Sequence, residues 1–263
     1  MSLLPFVDGA YRTAPRRIFW FARWFPSVVF YLKLTRIVLR SASLAKRSLY
    51  SSDEWARSSL DVLRALESVG VEFEITGIEH LQQLEGPCLV VGNHNSTLET
   101  MILPCLVQPF HEVTFVVKQA LIDYPVFKHI MRSRDPIAVT QRDARRDLKT
   151  MLSGGLERLK KGVSLIIFPE GKRSLDFDPE RFNSIGVKLA ARSKMPIVPV
   201  ALETSAWGLG RLISDMGKID NSKKVYFSFG PALYAEGRGS EENKAIIDFI
   251  STKIAHWKNR KVD

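Results

Sequence analysis

Apolar positions along the chain fall into two periodicities. Trp55, Leu60, Leu63, Leu66 and Val69 form a helical stripe that ends near Gly70, and Val71-Glu72-Phe73-Glu74-Ile75 alternates like a half-buried strand. Pro87-Cys88-Leu89-Val90-Val91 is a short continuous apolar run, the pattern of a strand covered on both faces. Similar runs follow at 113–117, 137–140, 163–168, 197–202 and 225–229. Helical patterns lie between them, most clearly over 142–161, and a terminal helix is predicted from about Ser240 to Trp257. Strands alternating with helices predict an α/β fold with a mostly parallel central sheet flanked by helices.

The N-terminus reads differently. Segments 16–25 and 26–44 interleave Phe19, Trp20, Phe21, Trp24, Phe25, Phe30 and Tyr31 with Arg and Lys, and Pro26 suits a first helical turn. They predict an amphipathic helical hairpin. The longest uncharged run there, Trp24 to Leu32, is nine residues, whereas a spanning helix wants about 18 or more. The charges scattered through 11–24 also argue against a signal peptide. The expected organisation is a membrane-interface element over residues 1–50 and one α/β domain over 51–263.

Charge sharpens this. The 263 residues carry a net charge of +10, and residues 1–60 hold ten cations against three acids. Aromatic rings can enter a headgroup layer while cations meet acidic lipid, so the expected partner is an anionic membrane surface. A helical hairpin packed on the core is the alternative. Nothing matches a nucleic-acid module. The two cysteines, Cys88 and Cys105, form no disulfide framework, and the composition is that of an ordinary intracellular globular chain. The five histidines show no ligand spacing, so no metal is expected.

Candidate chemistry begins after the run at 87–91, with Gly92-Asn93-His94-Asn95-Ser96-Thr97-Leu98-Glu99. In open α/β sheets functional groups gather beyond the carboxyl ends of strands. Histidine there can act as a general base, and a carboxylate on its far nitrogen fixes the tautomer. Ser96 and Glu99 also form a capping box, which offers Glu99 a purely structural role. A second cluster follows the run at 163–168: Phe168-Pro169-Glu170-Gly171-Lys172-Arg173-Ser174, with cations suited to a phosphate and a glycine that permits close approach.

These blocks resemble the glycerolipid acyltransferases typified by lysophosphatidic acid acyltransferase. Asn93-His94 with Glu99 is similar to that family's N-H-x-x-x-x-D block. Lys118-Gln119-Ala120-Leu121, Pro125 and the stretch ending near Arg142 are similar to its second block. Phe168–Ser174 matches F-P-E-G-T-R-S at six of seven positions, and Met195-Pro196-Ile197-Val198-Pro199-Val200 is similar to the fourth. The resemblance spans roughly residues 75–230. Glu99 stands where most relatives carry Asp, and Lys172 where Thr is usual. Ala120 replaces an acid, and Lys128 a glycine.

The resemblance implies transfer of a fatty acyl group from acyl-CoA or acyl carrier protein, as co-substrate rather than cofactor, to the hydroxyl of a lysophospholipid. The expected acceptor is 1-acylglycerol-3-phosphate, giving phosphatidic acid. His94 would be general base, oriented by Glu99. Lys118, Arg142, Glu170, Gly171, Lys172 and Arg173 would bind the acceptor. Alternatives are another lysolipid acceptor or a catalytically silent lipid-binding relative. The expected location is peripheral, on the cytoplasmic face of the inner or plasma membrane. Residues 203–223, with Trp207, Gly208 and Gly210, read as an exposed loop near the acyl channel.

Overall fold

The computed structural model describes residues 2–124, 127–210 and 215–260. In chain order its elements are β1 (Ala10–Arg12), α1 (Trp20–Trp24), α2 (Pro26–Lys46), α3 (Ser52–Glu67), β2 (Phe73–Thr76), α4 (Glu79–Gln82) and β3 (Leu89–Gly92). There follow α5 (Leu98–Val107), β4 (Val113–Lys118), α6 (Gln119–Asp123), α7 (Phe127–Arg132), β5 (Ile137–Val139), α8 (Ala144–Lys160) and β6 (Ser164–Ile167). The chain closes with α9 (Ile185–Ser193), β7 (Ile197–Glu203), β8 (Val225–Phe229) and α10 (Ser240–Asn259).

Among the described residues, eight strands form one sheet in the order β1-β2-β8-β7-β3-β6-β4-β5. The pairs from β7 through β3, β6 and β4 to β5 are parallel, as is β2 with β8. Only β1 with β2 and β7 with β8 run antiparallel among these elements. The continuous apolar runs are therefore the central strands: β3, β6 and β7 are buried along their whole length. Helices cover both faces, as strands buried on each side require. One layer, built from α2, α3 and α5, packs in the core that includes Phe30, Leu63 and Ile102. The opposite layer, built from α8, α9 and α10, packs in the core that includes Leu159, Leu189 and Ile250.

The N-terminal helices are present as expected, with Pro26 opening α2. The strand β1 ahead of them has no sequence signal of its own. It is held by its register on β2 and by Glu67, fully buried on α3, which accepts from Tyr11 Oη (2.6 Å), Thr13 Oγ1 (2.7 Å) and Arg16 Nη2 (2.9 Å).

Two expectations need correction. The alternation at 71–75 predicts a strand with one wet face, yet Glu74 is only 7% exposed. Lys224 and Arg260 bond its two oxygens at 2.9 and 3.1 Å, and Arg12 lies 3.8 Å away. The reading of 203–223 as an exposed loop also fails at Trp207. That ring is 1% exposed and packs edge-on against Phe30 of α2, with centroids 4.8 Å apart. Tyr31 Oη donates to Gly217 O (2.5 Å) and Ser27 Oγ accepts from Ile219 N (2.9 Å), so α2 seats this loop on the core.

Candidate active site

The site forms where β3 ends. A Cβ at Gly92 would lie 2.5 Å from Val200 Cγ1 and 2.6 Å from Val200 O, so only glycine lets β3 lie this close to β7 at its last residue. Beyond it, Asn93 continues the ladder with its side chain. Its Nδ2 donates to Leu202 O and its Oδ1 accepts from Leu202 N, both at 2.9 Å. Asn95 does the same one step on, accepting from Thr204 N at 2.8 Å and donating to Ser174 O at 3.1 Å. Two buried asparagines thus hold the loop between them at a fixed height above the sheet, with His94 carried across the top.

His94 Nδ1 lies 2.8 Å from Glu99 Oε1. The longer side chain of glutamate reaches the imidazole because Glu99 sits in the first turn of α5, with the chain folded back over it. Glu99 is fully buried, and donors fill both of its oxygens. Oε1 also accepts from Asn95 N and Ser96 N at 2.7 Å each, and Oε2 accepts from Thr204 Oγ1 at 2.6 Å and Ser96 N at 3.0 Å. Ser96 Oγ accepts from Leu98 N (3.0 Å), which completes the start of the helix. One carboxylate therefore orients His94 and gathers the N–H groups of the turn ahead of α5, whose N-cap Thr97 makes no side-chain capping bond. A carboxylate bound at Nδ1 leaves Nε2 as the open basic nitrogen. The ring, 17% exposed, stacks on Phe168 with centroids 4.4 Å apart and planes 9° from parallel.

The loop after β6 closes the other side. His94 N donates to Glu170 Oε1 (2.7 Å) and Ser174 N donates to His94 O (2.8 Å). Gly171 has φ +67°, the left-handed region that favours glycine. A Cβ there would approach only Gln141 Nε2, at 4.0 Å, so the conformation and not close packing calls for glycine. Arg173 Nη1 bonds Thr97 Oγ1 and pairs with Asp215 Oδ1 (2.5 Å), a residue of the loop seated on α2. Lys118, Arg142 and Lys172 are exposed. Lys118 ends β4, whose register places it opposite Val139 at the end of β5. Arg142 follows Gln141, whose Nε2 donates to Gly171 O (2.9 Å). All three stand at the carboxyl ends of the strands, on the same edge as His94, but no hydrogen bond among the described residues ties their side chains into the cluster around it. Pro125 lies outside the described residues.

Burial raises the Glu170 carboxyl to about 7, against the lowering effect of the His94 N–H and with a further push from Glu99. Because the native state holds this proton more tightly than the unfolded chain, Glu170 stabilises the fold fully below about pH 4.5, its ordinary value. That contribution is lost as pH rises through about 7. Urea unfolding of wild type and Glu170→Gln should therefore show wild type losing ground against the variant between pH 5 and pH 8. A constant difference across those two pH values would contradict the assignment.

The cysteines offer no competing nucleophile. Burial pushes the Cys88 thiol up to about 11 and the Cys105 thiol up to about 12, and reactive thiols need the opposite shift. Among the described residues no cluster of His, Cys, Asp or Glu could hold a metal ion. Sequence reasoning missed Asn95, Thr97, Thr204 and Asp215 as members of the site. Asn95 and Thr97 were visible within the histidine block, and Thr204 as a polar residue just past an apolar strand. Asp215 carries no such signal.

Comparison with known proteins identifies the family. The chain is 29% identical over 205 residues to the 1-acyl-sn-glycerol-3-phosphate acyltransferase of Pseudomonas aeruginosa, covering 76% of this chain and 75% of that protein. It is 30% identical over 194 residues to the human 1-acyl-sn-glycerol-3-phosphate acyltransferase beta, covering 68% of this chain and 62% of that one. With a chloroplastic 1-acyl-sn-glycerol-3-phosphate acyltransferase of Brassica napus it shares 32% identity over 129 residues, 49% of this chain and 36% of the relative. The crystal structure of the 1-acyl-sn-glycerophosphate (LPA) acyltransferase PlsC from Thermotoga maritima superposes with a TM-score of 0.68 at 20% identity, covering 88% of this chain and 94% of that one, a likeness of fold. A family model described as acyltransferase matches residues 72–203, half of the chain, from β2 to the last residue of β7 and so across both loops that meet at His94. The chain belongs to the acyltransferase family.

Proposed function

We propose that the protein transfers a fatty acyl group from an acyl thioester, acyl-CoA or acyl carrier protein, to the free hydroxyl of 1-acylglycerol-3-phosphate, giving phosphatidic acid. The observation that carries this reading is the His94–Glu99 pair (2.8 Å) with Arg173 in the neighbouring loop. His94 Nε2 takes the proton of the acceptor hydroxyl as its oxygen attacks the thioester carbonyl. The C–S bond then breaks and the proton leaves on the thiol, with no acyl group on the protein. Glu99 holds the ring and stabilises the imidazolium. Glu170, Gly171 and Arg173 bind the glycerol phosphate, and the phosphate takes the place of Asp215 on the guanidinium. Lys118, Arg142 and Lys172 add positive potential along the same edge.

The acceptor assignment is tested by comparing lysophosphatidic acid with lysophosphatidylcholine, in wild type and Arg173→Ala. Wild type should favour the phosphate monoester, and Arg173→Ala should raise its KM on the order of tenfold or more, the scale of a lost charge-assisted hydrogen bond. Equal use of both acceptors, with no change in Arg173→Ala, would contradict the assignment.

The same reading places the protein peripherally on the cytoplasmic face of a membrane, with residues 1–50 as the interface element and 51–263 as the catalytic domain. Among the described residues no helix is long and apolar enough to cross a membrane. Phe19, Trp20, Trp24 and Phe25 are 66, 64, 76 and 50% exposed, beside Arg16, Arg17 and Arg23. A Trp20→Ala/Trp24→Ala variant should bind anionic vesicles more weakly, and wild-type binding should fall as salt rises. Unchanged vesicle affinity in the variant would refute this surface.

A further inference from the structure

A groove of about 370 Å³ lies on the outer face of α8, where Arg145, Leu148, Lys149, Leu152 and Leu156 meet Arg192 of α9. The α8 members are spaced by three and four residues, so they form one stripe along the helix. Leu148 is 40% exposed, an apolar side chain left in water between two cations.

The nearby acids are turned away from the groove. Asp147 is buried and accepts from Thr140 N (2.9 Å) and Gln141 N (2.6 Å). Asp143 caps α8 by accepting from Arg145 N and Arg146 N. Glu157, at the far end, is paired with Lys161 and Arg158. Among the described residues no ion pair engages Arg145, Lys149 or Arg192. The groove therefore has an apolar floor and a positive rim with no negative charge of its own.

Its place in the fold matters as much as its chemistry. The helices α8 and α9 belong to the layer opposite α2 and α3, so a membrane held by residues 16–25 leaves this face to the aqueous side. The first turn of α8 follows Gln141, which is bonded to Gly171. Arg145, four residues past Gln141, thus stands at the end of the groove nearer the loop that closes the His94 site, and Leu156 stands at its other end.

We propose that this groove docks an acidic, amphipathic helix of the carrier protein that delivers the acyl thioester. The inference rests on the acyl-transfer reading and specifies the protein-bound form of the donor. From Leu148 to Leu156 the floor runs about 12 Å, two helical turns, the length over which an apolar ridge at i, i+3 and i+4 can seat. Acids flanking that ridge meet Arg145, Lys149 and Arg192, which steers the encounter and fixes its register. A nucleotide phosphate would use the cations but leave Leu148 in water. A second copy of this chain would bring a groove of the same sign.

The test compares an acylated acyl carrier protein with acyl-CoA as donors for wild type, Lys149→Glu and Arg145→Glu/Lys149→Glu. Arg145 lies in the first turn of α8, where an acid suits the helix dipole, and Lys149 is an exposed position one turn further on, so these changes leave the fold intact. Lys244→Glu on α10 alters net charge by as much as Lys149→Glu, away from the groove. The KM for the acylated carrier should rise on the order of tenfold in the double variant, while acyl-CoA kinetics and the Lys244→Glu control stay within about twofold of wild type. Direct binding of the labelled carrier, read by fluorescence anisotropy, should weaken in parallel and with added salt. Unchanged carrier binding in the double variant, or an equal rise in KM for both donors, would overturn the proposal. If neither donor supports turnover, the acyl-transfer reading fails while the binding measurement still decides the groove.

Discussion

A His94→Ala variant is expected to remain folded and to lose turnover by roughly a hundred- to ten-thousand-fold, the contribution of a positioned general base. The loop does not depend on the imidazole. His94 N and O keep their partners Glu170 and Ser174 through the backbone, and Asn93 and Asn95 still pin the chain to Leu202 of β7 and to Thr204 just past it. Glu99 retains Asn95 N, Ser96 N and Thr204 Oγ1, so no buried carboxylate is stranded. The unfolding free energy should stay within about 1 kcal/mol of wild type. Steady-state kinetics beside urea denaturation check both halves. Turnover equal to wild type would remove His94 from the reaction, and a catalytically silent relative would show no turnover in either protein.

Glu99→Ala should do the opposite kind of damage. Removing this carboxylate leaves Asn95 N and Ser96 N without their acceptor in the interior, at roughly 3–5 kcal/mol, the cost of breaking a buried charged cluster. Turnover should fall as well, because His94 loses the partner that fixes its tautomer. Glu99→Gln separates the two effects. Its carbonyl oxygen can still accept from Asn95 N and Ser96 N, so it should recover part of the stability, yet the neutral amide cannot stabilise an imidazolium and turnover should stay low. Thermal or urea unfolding with parallel rate measurements checks this. A Glu99→Ala protein as active as wild type would reduce Glu99 to a structural role in the turn ahead of α5.

The parts of the fold that were legible in the sequence are those whose physics is local. Strands buried on both faces appear as uninterrupted apolar runs, and β3, β6 and β7 are all found where such runs predict them. The helix α8 announces itself through its own period, and Pro26 marks the start of α2. Where burial is conferred by distant residues the sequence is silent. Trp207 stands beside two glycines and looks like a loop residue, but its cover comes from Phe30 and Tyr31, far back in the chain. Glu74 looks like the wet side of a strand because nothing near it announces Arg12, Lys224 and Arg260. The three-residue β1 is shorter than any periodicity can register.

The same distinction runs through the site. His94, Glu99 and the 168–174 loop are contiguous blocks at strand ends and could be read directly. Their geometry is set by partners from elsewhere: Thr204 beneath Glu99, Asn95 tied to both Thr204 and Ser174, and Asp215 on Arg173. A carboxylate on that guanidinium could not be anticipated from spacing, because the loop bearing it is placed by its packing on α2.

The most direct test of the central reading is the stoichiometry of thiol release and ester formation. Purified wild-type protein on anionic vesicles would be given oleoyl-CoA, with and without lysophosphatidic acid. Direct attack by the activated hydroxyl predicts one free thiol for each phosphatidic acid formed, and no release beyond background hydrolysis until the acceptor is added. A stoichiometric burst of thiol without acceptor, an acyl group retained on the protein, or no phosphatidic acid at all would contradict it.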